Sequence, residues 1–168
     1  GNIIIANSGG TLYTTTAGTS NLRLGVNAGN SIASGGIQNV CVGDEAGTAI
    51  TTGDYNSAFG YKALHSDTLG NRSTAIGREA LLNQNFTSDT NVYNIAVGYS
   101  AGLSNLTGIQ NTHLGGFSGY YGTTADNSTF VGYQAGFGND GATLTGNNNT
   151  AIGSQAGSTL QGTAHSNV

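Results

Sequence analysis

One large apolar residue recurs down this chain, always directly ahead of a glycine. The apolar series is Leu24, Val42, Phe59, Ile76, Val97, Leu114, Val131 and Ile152, and the glycines behind it are Gly25, Gly43, Gly60, Gly77, Gly98, Gly115, Gly132 and Gly153. Four residues before each glycine stands Asn21, Asn39, Asn56, Ser73, Asn94, Asn111, Ser128 or Asn149. Three residues after it comes Ala28, Ala46, Ala63, Ala80, Ala101, Ser118, Ala135 or Ala156. Asn149-Thr150-Ala151-Ile152-Gly153-Ser154-Gln155-Ala156-Gly157 is the cleanest copy. Eight copies in register define a repeat protein.

Successive corner glycines are 18, 17, 17, 21, 17, 17 and 21 residues apart. Helix–turn–helix repeats need roughly 33 residues or more, and the glycine, asparagine and threonine load is costly inside helices. Two short strands of about five residues and two turns do fill such a step. The pattern therefore predicts an all-β solenoid, one coil per glycine-to-glycine step, with coils about 4.8 Å apart. Neighbours on a strand point to opposite faces. The large apolar column is expected to form the core, and the glycines the tight corners. The column beside it, Arg23, Cys41, Ala58, Ala75, Ala96, His113, Phe130 and Ala151, is then expected to face solvent or a partner.

A second corner is expected seven residues before each corner glycine. There Gly18, Gly36, Gly53, Gly70, Asn91, Gly108, Ala125 and Gly146 align, a series that suggests left-handed backbone. The Asn/Ser column allows two arrangements: a ladder linking coil to coil, or a side chain closing its own turn. The two longer steps carry their extra residues in 82–93 and 137–148, and are expected to bulge from one side. They recur every third coil, giving a higher period of 55 residues from Gly43 to Gly98 to Gly153. Asn2-Ile3-Ile4-Ile5-Ala6 reads as a degenerate ninth copy and Asn167-Val168 as the start of another. Residues 1–168 thus read as a single roll region of about nine coils, cut from a longer fibre.

Composition narrows the partners. With 29 glycines, no proline and glycine off any three-residue period, the chain is not collagen. Arg23, Lys62, Arg72 and Arg78 are the only strong bases, too few to neutralise a phosphate backbone, so nucleic acid is not an expected partner. No apolar run is long enough to span a membrane, and no signal peptide opens the chain. One cysteine, Cys41, excludes a disulfide framework within the chain.

The motif Asn-Thr-Ala-Ile-Gly with a following alanine resembles the head repeats of trimeric autotransporter adhesins of the YadA type. The longer form Gly146-Asn147-Asn148-Asn149-Thr150-Ala151-Ile152-Gly153-Ser154-Gln155-Ala156-Gly157 is still more similar to repeats of phage tail fibres. It is similar too to large surface proteins of marine bacteria that carry a tail-fibre-type chaperone domain. The resemblance covers nearly the whole chain; the longer, uneven period departs from the adhesin head. It implies a left-handed parallel β-roll, a parallel homotrimer packed around a threefold axis, and an extracellular place on a virion or bacterial surface. The leading expectation is a phage tail or collar fibre shaft that supports attachment to a host receptor. The alternative is a trimeric bacterial surface adhesin or cell-surface filament.

Candidate chemistry is sparse. Tyr61, Tyr99 and Tyr133 each follow a corner glycine, two coils apart, and can stack on glycan rings or on a partner protein; the plain alternative is that they plate the corner. His65, His113 and His165 are far apart, and no metal site or cofactor is expected. Asp44, Glu45 and Glu79 share a corner and are read as solvated, so no catalytic pair and no enzyme activity is expected. Ice binding through the threonine column Thr74, Thr112, Thr129 and Thr150 ranks low, because that column shares the face expected to be core.

Overall fold

A computed structural model describes residues 17–139, 141, 143–164 and 166 of the chain. The degenerate copy at 2–6, the cut copy at 167–168 and His165 lie outside the described residues. The described chain is a β-solenoid of eight coils. Its strands are β1 (Leu22–Leu24), β2 (Val40–Val42), β3 (Ser57–Phe59), β4 (Gly70–Asn71), β5 (Thr74–Ile76), β6 (Thr90–Asn91), β7 (Ile95–Val97), β8 (Thr112–Leu114), β9 (Thr129–Val131) and β10 (Thr150–Ile152). Eight of them form one sheet in the order β1-β2-β3-β5-β7-β8-β9-β10, and β4 pairs separately with β6. All pairings are parallel, and those of the eight-stranded sheet are in motif register; Ala58 lies beside Ala75, which lies beside Ala96, while β4 and β6 pair one residue out of that register, Gly70 beside Thr90.

The second long strand is replaced by consecutive turns. At each corner the alanine (or Ser118) amide donates back to the glycine carbonyl three residues earlier, as Ala63 does to Gly60 at 3.2 Å. The residue between, two after the glycine, is left-handed: Lys62 has φ 55° and Phe117 φ 58°. A positive φ at that place is the mark of a type II turn. The return path still bonds coil to coil, as from the Ala33 amide to the Thr51 carbonyl at 2.9 Å.

The corner glycine earns its place by geometry. Gly77 has φ +126°, and a Cβ there would stand 2.5 Å from the Gly98 carbonyl oxygen of the next coil. The second corner differs from expectation. None of the residues seven before the corner glycine has a positive φ; the left-handed residue comes two later, at Tyr55 (φ 60°) or Arg72 (φ 62°). At Gly53 the glycine serves space, since a Cβ there would lie 2.5 Å from the Gly70 carbonyl oxygen; Asn91 and Ala125 fill the place in two other coils.

The expected inside and outside are exchanged. The column Cys41, Ala58, Ala75, Ala96, His113, Phe130 and Ala151 is buried. The large apolar column faces outward: Leu24, Phe59, Ile76, Leu114 and Ile152 are exposed, and Val42, Val97 and Val131 are half-buried. The reason is width. The inward strand residue meets the corner alanine and the residue after it across a very narrow interior. A Cβ on Gly136 would sit 2.5 Å from the Phe130 ring, and one on Gly47 2.6 Å from the Cys41 sulfur. Where that place holds Leu64 or Leu81, the strand residue of the same coil is Ala58 or Ala75. A column of eight Leu, Ile, Val and Phe side chains has no room inside.

The insertions protrude as expected, with one amendment. Thr87, Ser88 and Asp89 are exposed, as are Asn139 and Gly141. Each segment also sends side chains inward, Gln84, Phe86 and Val92 in the first and Leu144 in the second.

Candidate interaction surfaces

Asparagine capping holds the coils in register and so aligns every surface column. The Asn39 side-chain oxygen accepts from the Asn56 amide at 2.9 Å, and its Nδ2 donates to the Gly53 carbonyl at 2.8 Å. Both partners belong to the next coil. The same pair of bonds recurs at Asn56, Asn94 and Asn111. Of the two arrangements open from sequence, the coil-to-coil one is found, running mainly through the backbone and not from amide to amide.

Ser73 is too short to continue that ladder, and a buried polar group stands in. Gln84 Nε2 donates to Ser73 Oγ at 2.9 Å and to Asp67 Oδ2 at 2.6 Å, while Asn94 Nδ2 donates to Gln84 Oε1 at 2.9 Å. Asp67 Oδ1 accepts from the amides of Gly70 and Phe86. Burial raises the Asp67 pKa against the pull of these donors. Asp67 and Gln84 follow Ile32 and Ile50 in one column, seven residues after the corner glycine. That switch from apolar to polar was the available sequence signal.

His113 lies in the core, its ring stacked on Phe130 at 5.6 Å. Among the described residues its buried Nδ1 has no hydrogen-bond partner, and the adjoining space by Asn105, Gly122 and Ser128 has no room for a water. Burial lowers its pKa to about 4. Cys41 is wholly enclosed, with its thiol pushed up to about 11 by desolvation. His65 sits apart at the surface, 3.3 Å from Glu45, which also meets Lys62. Glu79 pairs with Arg78 at 3.0 Å, and Asp44 accepts from the Val26 amide. Among the described residues no three His, Cys, Asp or Glu side chains gather as a metal site would require.

The outer face of the eight-stranded sheet is the largest feature. It carries the apolar column together with Leu22, Val40, Ser57, Thr74, Ile95, Thr112, Thr129 and Thr150, all half-buried except Ile95, which is exposed. The threonines thus face outward, contrary to the reason given for ranking ice binding low. Their neighbours range in size from valine to phenylalanine, so the face is not a flat, regular array. In the middle coils this face is flanked on both sides by a guanidinium held between tyrosines. On one side Arg72 lies over Tyr55 at 4.9 Å and Tyr93 at 5.8 Å; on the other Arg78 lies over Tyr61 at 5.7 Å and Tyr99 at 5.4 Å. Each flank is a column six residues from the other, so that Tyr55, Arg72 and Tyr93 answer Tyr61, Arg78 and Tyr99.

The predicted tyrosine row is exposed at the corner, Tyr61 at 41%, Tyr99 at 43% and Tyr133 at 52%. The structure separates its members. Tyr61 and Tyr99 enclose Arg78, whereas Tyr99 and Tyr133 both meet Phe117 edge-on, at 5.0 and 6.1 Å. Phe117 also touches Tyr120 and Phe137, and Tyr121 packs against both of these. Six rings therefore form one surface cluster across three coils.

Compared with protein-family models, with curated proteins and with solved structures, the chain has no match in any of the three.

Proposed function

We propose that this chain is a structural module of an extracellular fibre, built as a parallel homotrimer. The first reading is a phage tail or collar fibre shaft that supports host attachment. A trimeric bacterial surface adhesin is the second, and it uses the same solenoid as a rigid spacer. The observation that carries the assembly is the outer sheet face, where Leu24, Phe59, Ile76, Ile95, Leu114 and Ile152 are all 39% exposed or more in a single chain. A contiguous apolar face of that extent marks an interaction surface on a soluble protein. Flanking arginine and tyrosine are the residue types that dominate interface energetics. The resemblance of the motif supplies the number of chains. In a cyclic assembly one flank of each chain meets the opposite flank of the next, which in the middle coils brings Arg72 towards Arg78 of a neighbour.

Sedimentation equilibrium tests this directly. The expected species has three times the 16.8 kDa mass of the chain. A folded monomer at micromolar concentration would remove the trimer and, with it, the main support for a fibre. The sequence on either side of this region in the full-length protein separates the two readings: a membrane anchor and coiled-coil stalk for the adhesin, a baseplate-binding end or chaperone domain for the phage fibre.

A further inference from the structure

We infer that the six-ring cluster of Tyr99, Phe117, Tyr120, Tyr121, Tyr133 and Phe137 is a binding platform for a neutral carbohydrate chain. Three observations lead there. First, the rings form a continuous surface. Tyr120 stacks on Phe137 at 5.3 Å and 22°, Tyr121 meets Tyr120 at 4.7 Å, and Phe117 joins this group to Tyr99 and Tyr133. Second, four of the six rings carry a hydroxyl. A surface with apolar ring faces and scattered hydroxyls matches a pyranose, which offers C–H groups on one face and hydroxyls around its rim.

Third, the charge pattern selects among ligands. Residues 90–125 contain no Asp, Glu, Lys or Arg. A polyanion, a nucleic acid or an acidic headgroup would find no cation on this surface beyond Arg78, which is already engaged between Tyr61 and Tyr99. Tyr99 and Tyr133 stand two coils apart, about 10 Å, comparable to an extended disaccharide. The turn closed from Ser118 to Gly115 lies between strand β8 and the rings of Tyr120 and Tyr121. Those rings therefore sit past the corner from the sheet face, whereas Tyr99 and Tyr133 share the column of Arg78 and border the seam proposed above.

The test is saturation-transfer NMR on the purified chain in its native oligomeric state. The probes are three neutral hexasaccharides, of glucose, of galactose and of N-acetylglucosamine, with dextran sulfate as the charged control. Transfer to ring C–H protons of at least one neutral probe, unchanged by salt, is expected. Tyr133→Ala and Tyr99→Ala should each weaken it about tenfold with unchanged melting, since both side chains are substantially exposed. Tyr133→Phe should keep most of the binding, and Tyr61→Ala, outside the cluster, all of it. The inference is overturned by no transfer to any neutral probe, by binding that survives the Tyr99→Ala/Tyr133→Ala double substitution, by equal loss in Tyr61→Ala, or by preference for dextran sulfate.

Discussion

Adjacent residues on one short strand have opposite fates in this protein. Ala75 is fully enclosed while Ile76 is 40% exposed, so an aspartate at each should separate folding from assembly. Ala75→Asp places a charge in a dry interior with no partner and should cost more than about 3 kcal/mol, seen as loss of the β signal in circular dichroism. Ile76→Asp should keep that signal and lower the sedimenting mass. His113 gives a second residue-scale expectation. Burial holds its folded pKa at about 4, below the ordinary 6.5 of a histidine, so the unfolded chain takes up the proton first as pH falls. The stabilisation is full above pH 6.5 and declines from there towards pH 4, by up to about 3 kcal/mol. Asp67, raised by burial, works in the opposite sense over acid pH. The difference between the native chain and His113→Phe in urea melts at pH 7.5 and pH 4.5 isolates the histidine, and the substituted chain should lose less stability on acidification.

At the scale of one coil, interior volume is shared between a strand residue and the turn residue facing it. Phe130 faces Gly136, and in other coils Ala58 and Ala75 accompany Leu64 and Leu81. Gly136→Leu alone should destabilise by roughly 1–3 kcal/mol through overpacking. Backbone strain is not the obstacle, because Leu64 and Leu81 hold the same left-handed conformation in their coils, with φ 51° and 50°. Adding Phe130→Ala should recover most of the loss, and a double-mutant cycle by chemical denaturation measures that coupling. The inserted segment follows a different rule. Removing residues 87–90 should restore a coil of the common length and leave the melting temperature within a few degrees, since a surface loop contributes little. Phe86→Ala, by contrast, empties a buried site and should cost about 3–5 kcal/mol.

Across the whole molecule each coil touches only its neighbours, as solenoid coils do, and the repeated columns make long, straight surfaces. The apolar sheet face between its two tyrosine–arginine flanks is the surface proposed as the seam between chains. Arg72→Ala and Arg78→Ala should each leave the single-chain fold intact and weaken association by about tenfold, read by dilution in analytical ultracentrifugation. A substitution at Cys41 should leave association unchanged. Its thiol is sealed inside the roll, so the cross-link between chains expected of an axis-facing cysteine should not form under mild oxidant.

The spacing of the glycines was enough to establish the coil, its length, the parallel register and the place of the insertions, because a chain that repeats every 17 residues can bond to itself only in step. Alternation along a strand showed that the apolar column and the alanine-rich column face opposite ways. Which of them lies inside was not legible, since both are non-polar enough to be buried. Hydrophobicity favoured Leu, Ile, Val and Phe; the separation of opposing walls favoured alanine. Only the folded coil sets that separation, through turns that bring Gly136 against Phe130 and Gly47 against Cys41. The six-ring cluster stayed hidden for a related reason. Its members are spread over Tyr99 to Phe137 and meet only when coils stack, whereas the tyrosine row was visible as a column. The asparagine ladder was open between two arrangements until the coil-to-coil distance placed the next coil's amide and carbonyl within reach of one side chain.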